Sequence, residues 1–174
     1  VLAWTIGDVC ADMKTAEYIV DLPSGFLTPV LLPAVTFFTA SVISFSTGSS
    51  WATMSILVPV TVPMAIQLLG GEGNQVVQDP IFLSTFAGVL SGSVFGDHCS
   101  PISDTTVLSS TASGSDHIDH VRTQLPYAVI SGVIALLAGY IFTGLGISLI
   151  VSLSVGLVLV IGFLKIFGKP ILHE

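Results

Sequence analysis

Residues 93–110 read "SVFGDHCSPISDTTVLSS", where two carboxylates, an imidazole, a thiol and a proline interrupt a run that is otherwise apolar or small. What these groups do depends on the solvent around them, and composition decides that. Only 9% of the chain is charged and 52% is hydrophobic, against about 25% charged in a soluble domain. No charged residue or histidine occurs from Leu22 to Gly71, or from Thr123 to Leu164. Each window holds two spanning helices of about 20 residues, so the chain reads as an all-α, multi-pass membrane protein.

Outward from residues 93–110, Pro80 opens a stretch in the first helical position that proline favours, and Gly88, Ser91, Gly92 and Ser93 allow close helix approach. Pro101 lacks an N–H and drives Cys99-Ser100 toward extended geometry. Residues 80–112 therefore read as one span broken in the middle. Further spans are expected at 26–46, 51–70, 125–144 and 146–164, the last two forming a tight hairpin. Pro59 and Pro63 lie inside the 51–70 span, where neighbouring helices must satisfy the freed carbonyls. All of 1–174 is expected to form a single transmembrane domain. The opening "VLAWTIG" reads as the closing turns of a helix, so the chain is expected to be part of a longer protein, and residues 8–25 as a polar boundary. Arg122 before the final hairpin and Lys165 and Lys169 after it predict that both hairpin ends face the cytoplasm.

An ionised carboxylate at mid-bilayer costs about 2.5–3.5 kcal/mol, and no lysine or arginine lies within fifteen residues of Asp97 or Asp104. Three physical outcomes are open: a watery cavity, a bound cation, or a protonated acid. A carboxylate that alternates between cation and proton is the simplest exchanger. Hydroxyls of Ser100, Ser103, Thr105 and Thr106, with carbonyls released at Pro101, offer the oxygen ligands a hard cation takes. A second polar break, "STGSSWATMS" at 46–55, supplies Thr47, Ser49, Ser50 and Thr53 around Gly48. Two interrupted apolar stretches point to a transporter site at mid-membrane, with the interruptions facing one another.

Each feature has a plainer alternative. Asp97 and Asp104 fit an exposed loop between short helices. His98 fits a proton shuttle or a partner of a backbone carbonyl, and Cys99 a small packing residue. In "SGSDHIDHVR", at 113–122, Asp116 and His120 stand at metal-ligand spacing, but Ser113 or Ser115 with the acids that follow reads better as a helix cap. His117 and His120 are candidates for pH sensing, and no transition-metal site is expected. Serines and threonines at 39, 41, 44 and 46 read as hydroxyls bonding back to their own helix. Asp8, Asp12, Lys14 and Glu17 read as a solvated helix end, and Cys10 and Cys99 as free thiols. The net charge of −7 is spread without an acidic run, which argues against a nucleic-acid partner.

The stretch "FGDHCSPISDTTVLSSTASGSDHIDHVRTQLPYA" closely resembles the C-terminal motif of the NhaC-type Na+/H+ antiporter family, within the ion transporter superfamily. "TGSSWATMSILVPVTVPMA" resembles that family's second polar break, and "LAWTIGDVCADMKTAEYIV" the segment before it. The resemblance implies a polytopic inner-membrane antiporter with inverted repeats and discontinuous helices. This chain would be its C-terminal half, completed by a missing N-terminal half. Where the family usually carries Gly-Thr-Ser-Trp, this chain has Gly48-Ser49-Ser50-Trp51, which keeps a hydroxyl.

The expected function is exchange of Na+ for H+ across the plasma membrane, with Asp97 and Asp104 as the exchanging carboxylates. The alternative is a Na+- or H+-coupled exchanger of a small organic or amino acid, since the family includes such members. No cofactor is expected beyond the transported ions. The expected partners are Na+, H+ and the lipid bilayer, and the sequence is compatible with a homodimer. An intramembrane hydrolase built on Asp97 and Asp104 lacks an HExxH pattern and a nucleophile–base pair, so no enzyme is expected. A passive channel would differ in showing no counter-flow of protons.

Overall fold

The computed structural model describes residues 5, 8–10, 12–21, 28–70 and 74–168. Residues 22–27, which take in the end of the polar boundary and the start of the first predicted span, lie outside the described residues, as do residues 71–73 and Lys169. Among the described residues every regular element is helical: α1 Thr15–Asp21, α2 Leu32–Thr47, α3 Ser50–Leu69, α4 Asn74–Val77, α5 Pro80–Cys99, α6 Asp104–Ala112, α7 His117–Gly144 and α8 Leu149–Phe167. Three of these, α3, α7 and α8, are long and apolar enough to cross a membrane. Asp8 and Asp12, before α1, are exposed. Cys10 and Cys99 are free thiols, and Cys99 is buried.

Helix α2 has 16 residues, about 24 Å at 1.5 Å per residue against roughly 30 Å of hydrocarbon. Its start at Leu32 places Pro33 in the first turn, where the missing N–H is harmless. The proline at the head of α5 uses the same rule: Asp79 caps the helix, accepting from the Ile81 N–H at 2.7 Å, and Pro80 follows. Helix α3 runs through Pro59 and Pro63 without ending.

The bundle is organised by α5 against α2. A Cβ on Gly88 would stand 2.9 Å from the Pro33 carbonyl oxygen, one on Gly92 2.9 Å from the Ala40 Cβ, and one on Gly96 2.6 Å from the Phe45 N. Real Cβ atoms do not come that close. The spacing of four brings one glycine per turn to the same face, and the contacts advance along both helices together, so α2 and α5 run parallel. Across this seam the Ser44 hydroxyl donates to the Ser93 carbonyl, where the sequence suggests a bond to its own helix. Ser41 and Ser46 do bond back, to Phe37 O at 2.7 Å and Val42 O at 2.8 Å.

Helix α7 begins well before the expected 125 and absorbs the polar segment after residue 116. Asp116 is its cap, its carboxylate accepting from Ile118 N at 2.9 Å and Asp119 N at 3.1 Å, a role the sequence gives to Ser113 or Ser115. Residues Ala135–Ile141 widen to a π-helix. There Tyr140 hydrogen-bonds Ser91 of α5 and stacks on Phe37 of α2 at 4.8 Å. Helix α8 returns after four residues and donates from Ser152 to the Ala138 carbonyl. Most of its apolar side chains, such as Leu149, Ile150 and Leu153, are exposed.

Candidate functional site

Because α2 and α5 are parallel, both end at the same level, and each is followed at once by a new helix. Gly48, with φ +67°, closes α2, and Ser49 caps α3 by accepting from Ala52 N at 3.4 Å. Residues 100–103 separate α5 from α6. The two turns touch: a Cβ on Gly48 would lie 2.9 Å from the Ile102 side chain and 3.0 Å from its carbonyl. Gly48→Ala therefore combines a strained left-handed backbone with a clash. It is expected to lower the melting temperature of the complete protein by the equivalent of about 1–3 kcal/mol, measured by thermal unfolding in detergent.

Asp97, in the last turn of α5, is the buried acid between these turns. One carboxylate oxygen accepts from the Ser50 hydroxyl of α3 at 3.0 Å and the other from the Ser103 hydroxyl ahead of α6. Ser103 in turn pairs with Thr105 at 2.7 Å. Ser50 opens α3, and Ser103 stands at the position just before α6 with its hydroxyl turned to Asp97. The carboxylate thus meets the positive ends of two helices, while the carbonyls ending α2 and α5 lie close by.

Those carbonyls are accounted for. Ser100, fully buried, donates to Phe45 O at 2.8 Å, and its own N–H reaches Asp97 O at 3.2 Å. Thr106 donates to His98 O at 3.3 Å. Thr47 is exposed, its hydroxyl 3.4 Å from Ser44 O, and buried Thr53 donates to Ser49 O at 2.9 Å. The structure thus joins Asp97, Ser50, Ser103 and Thr105 in one network. Ser100 and Thr106 stand around it as carbonyl partners, and Ser49 as a cap. Asp104 is exposed in the first turn of α6.

The histidines separate. His117 spans the loop and α6, with Nε2 2.7 Å from Pro101 O and Nδ1 3.1 Å from Ser110 Oγ. The exposed His98 ring meets Gln124 of α7, whose amide also donates to His98 O at 3.2 Å. His120 lies one turn beyond Asp116, and the described residues hold no group of three or more metal-ligating side chains. Sequence reasoning missed Gln124 and Ile102: Gln124 lies 26 residues from its partner His98, and Ile102 packs on Gly48, which has no side chain to signal the contact.

The profile of the Na+/H+ antiporter family matches residues 1–145. This chain belongs to that family. A protein of Haemophilus influenzae without assigned function is 39% identical to it over 94% of this chain, an arginine/ornithine antiporter of Halobacterium salinarum 36% over 72%, and a malate-2H+/Na+-lactate antiporter of Bacillus subtilis 35% over 71%. The matched regions take in 30%, 24% and 25% of those proteins, so the chain spans less than a third of the length of the relatives it matches. No solved structure matches it significantly. Three apolar helices of spanning length are in keeping with membership in an antiporter family.

Proposed function

We propose that the complete protein exchanges Na+ for H+ across the plasma membrane, and that Asp97 takes the two ions in turn. The observation that carries this is a buried carboxylate whose two oxygens, among the described residues, each accept from a serine hydroxyl. A hydroxyl donates its proton to a carboxylate, or turns its lone pairs to a cation. Ser50, Ser103 and Thr105 therefore serve the ionised, the sodium-bound and the protonated acid without rebuilding. Oxygen donors alone suit Na+, and helix C-termini nearby favour positive charge. Occupancy is exclusive, because a bound proton removes the negative charge the cation needs.

In this reading residues 80–112 form one discontinuous membrane element, with α5 and α6 as its halves. The chain is part of an inverted-repeat transporter, and movement against the rest of the protein gives alternating access. The final hairpin has both ends in the cytoplasm, and the exposed apolar face of α8 meets lipid or the rest of the protein. Asp104, more exposed than Asp97, acts at the mouth of the site as a second carboxylate. The chemistry is transport, with the two ions as substrates and no resident cofactor.

A second reading is favoured by the relatives: two are exchangers of arginine with ornithine and of malate with lactate. In that case Asp97 holds the coupling ion and an organic acid or amino acid is the cargo. Vesicles with an imposed pH gradient separate the two. Na+ alone collapses the gradient under the first reading, whereas under the second it does so only with an organic substrate present. Ser50→Ala is expected to raise the Na+ concentration for half-maximal exchange roughly tenfold, the worth of one hydrogen bond to a charged group, at unchanged protein yield. Unaltered half-saturation would remove Ser50 from the site.

A further inference from the structure

We propose that His117, at the start of α7, is a positioning residue for the ion site, acting as a clamp on the loop that carries Ser103. This rests on the assignment of Asp97 above. The loop 100–103 has little to hold it in place by itself: it is four residues between two helices, and Ser103 N reaches Ser100 O only at 3.4 Å. Its position decides whether Ser103 reaches Asp97. The contacts that fix it from outside come from the end of α2, where Ser100 donates to Phe45 O at 2.8 Å and Gly48 packs on Ile102, and from α7.

His117 uses both ring nitrogens. The Pro101 carbonyl can only accept, so Nε2 carries the proton and donates to it at 2.7 Å. Nδ1 then faces the Ser110 hydroxyl at 3.1 Å. In the neutral ring Nδ1 accepts the Ser110 proton, which otherwise lies toward Val107 O at 2.9 Å. One imidazole thus ties the loop to α6 while anchored on the capped first turn of α7. Gln124, two turns further along, repeats the attachment on His98 O. Tethered at Pro101 and at His98, the segment from the end of α5 to α6 is held by the polar head of α7.

The geometry needs a donor at the Nε2 position and an acceptor toward Ser110, and a glutamine amide supplies both. In the complete protein, His117→Ala is expected to speed amide hydrogen exchange over residues 98–106 and to raise the Na+ concentration for half-maximal exchange about 3- to 10-fold, the range of one neutral hydrogen bond. Maximal rate and melting temperature should stay near wild type. His117→Gln should restore both the amide protection and the half-saturation, with the wild-type pH profile. Unchanged protection or half-saturation in His117→Ala overturns the clamp. So does a His117→Gln variant that keeps a tight loop but shifts the pH profile, since His117 would then act by titrating. Asp97→Asn in the same assay separates the two claims: if it still exchanges Na+ for H+, the Asp97 assignment fails, while amide protection continues to judge the clamp.

Discussion

Asp97→Asn abolishes Na+-driven proton movement in inside-out vesicles carrying the complete protein, while yield and thermal stability hold close to wild type. The expectation follows from the shape and partners of the side chain. Asparagine fills the same volume and can still accept from Ser50 or Ser103 through its one carbonyl oxygen. What it lacks is the charge that attracts Na+ and the lone pair that takes a proton. A structural loss would show as reduced yield, and an ion-site loss as a folded, inactive protein. Asp104→Asn should be the milder change, because Asp104 is exposed and Asp97 is buried. Equal losses in both variants would favour a paired-carboxylate site. Wild-type exchange in Asp97→Asn would remove Asp97 from the ion site.

Gly92→Ala has the second large effect, and it concerns folding. The added methyl would meet the Phe37 carbonyl and come within 2.9 Å of the Ala40 Cβ. A backbone carbonyl cannot swing away as a side chain can, so α2 and α5 must separate. Overpacking costs typically about 1–3 kcal/mol, and here it also strains the seam that aligns the two helix ends at the ion site. Lower melting temperature and weaker exchange should appear together. Gly156→Ala is the control: nothing lies within 4 Å of its added Cβ, and alanine is a better helix former than glycine by about 1 kcal/mol. That variant should fold at least as well as wild type.

The glycine seam was half legible. The spacing of Gly88 and Gly92 announces close approach, but the third contact is Gly96, while Ser91 points instead to Tyr140. Periodicity gives a face, and only the neighbour's position says which residues on that face touch. Polar breaks were legible for a simple reason: hydroxyls, acids and proline in an apolar run need partners, and the commonest source is another break. Ser50 and Asp97 meet in that way. The difference between Asp97 and Asp104 was not legible, since both stand beside the same proline, and one falls in the last turn of α5 and the other in the first turn of α6. Nor was the role of His117, whose partner is a carbonyl sixteen residues away. The π-helical turn at Ala135–Ile141 leaves no compositional mark in an apolar run.

The measurement that bears most directly on the central claim is proton release on Na+ binding. The complete protein, purified in weakly buffered detergent, is mixed with NaCl while a pH indicator reports the protons set free, for wild type and for Asp97→Asn. If one carboxylate holds the two ions in turn, wild type releases protons when NaCl is added, and Asp97→Asn releases none. Equal release from both proteins would mean that Na+ and H+ compete elsewhere, and the exchange site would not be Asp97.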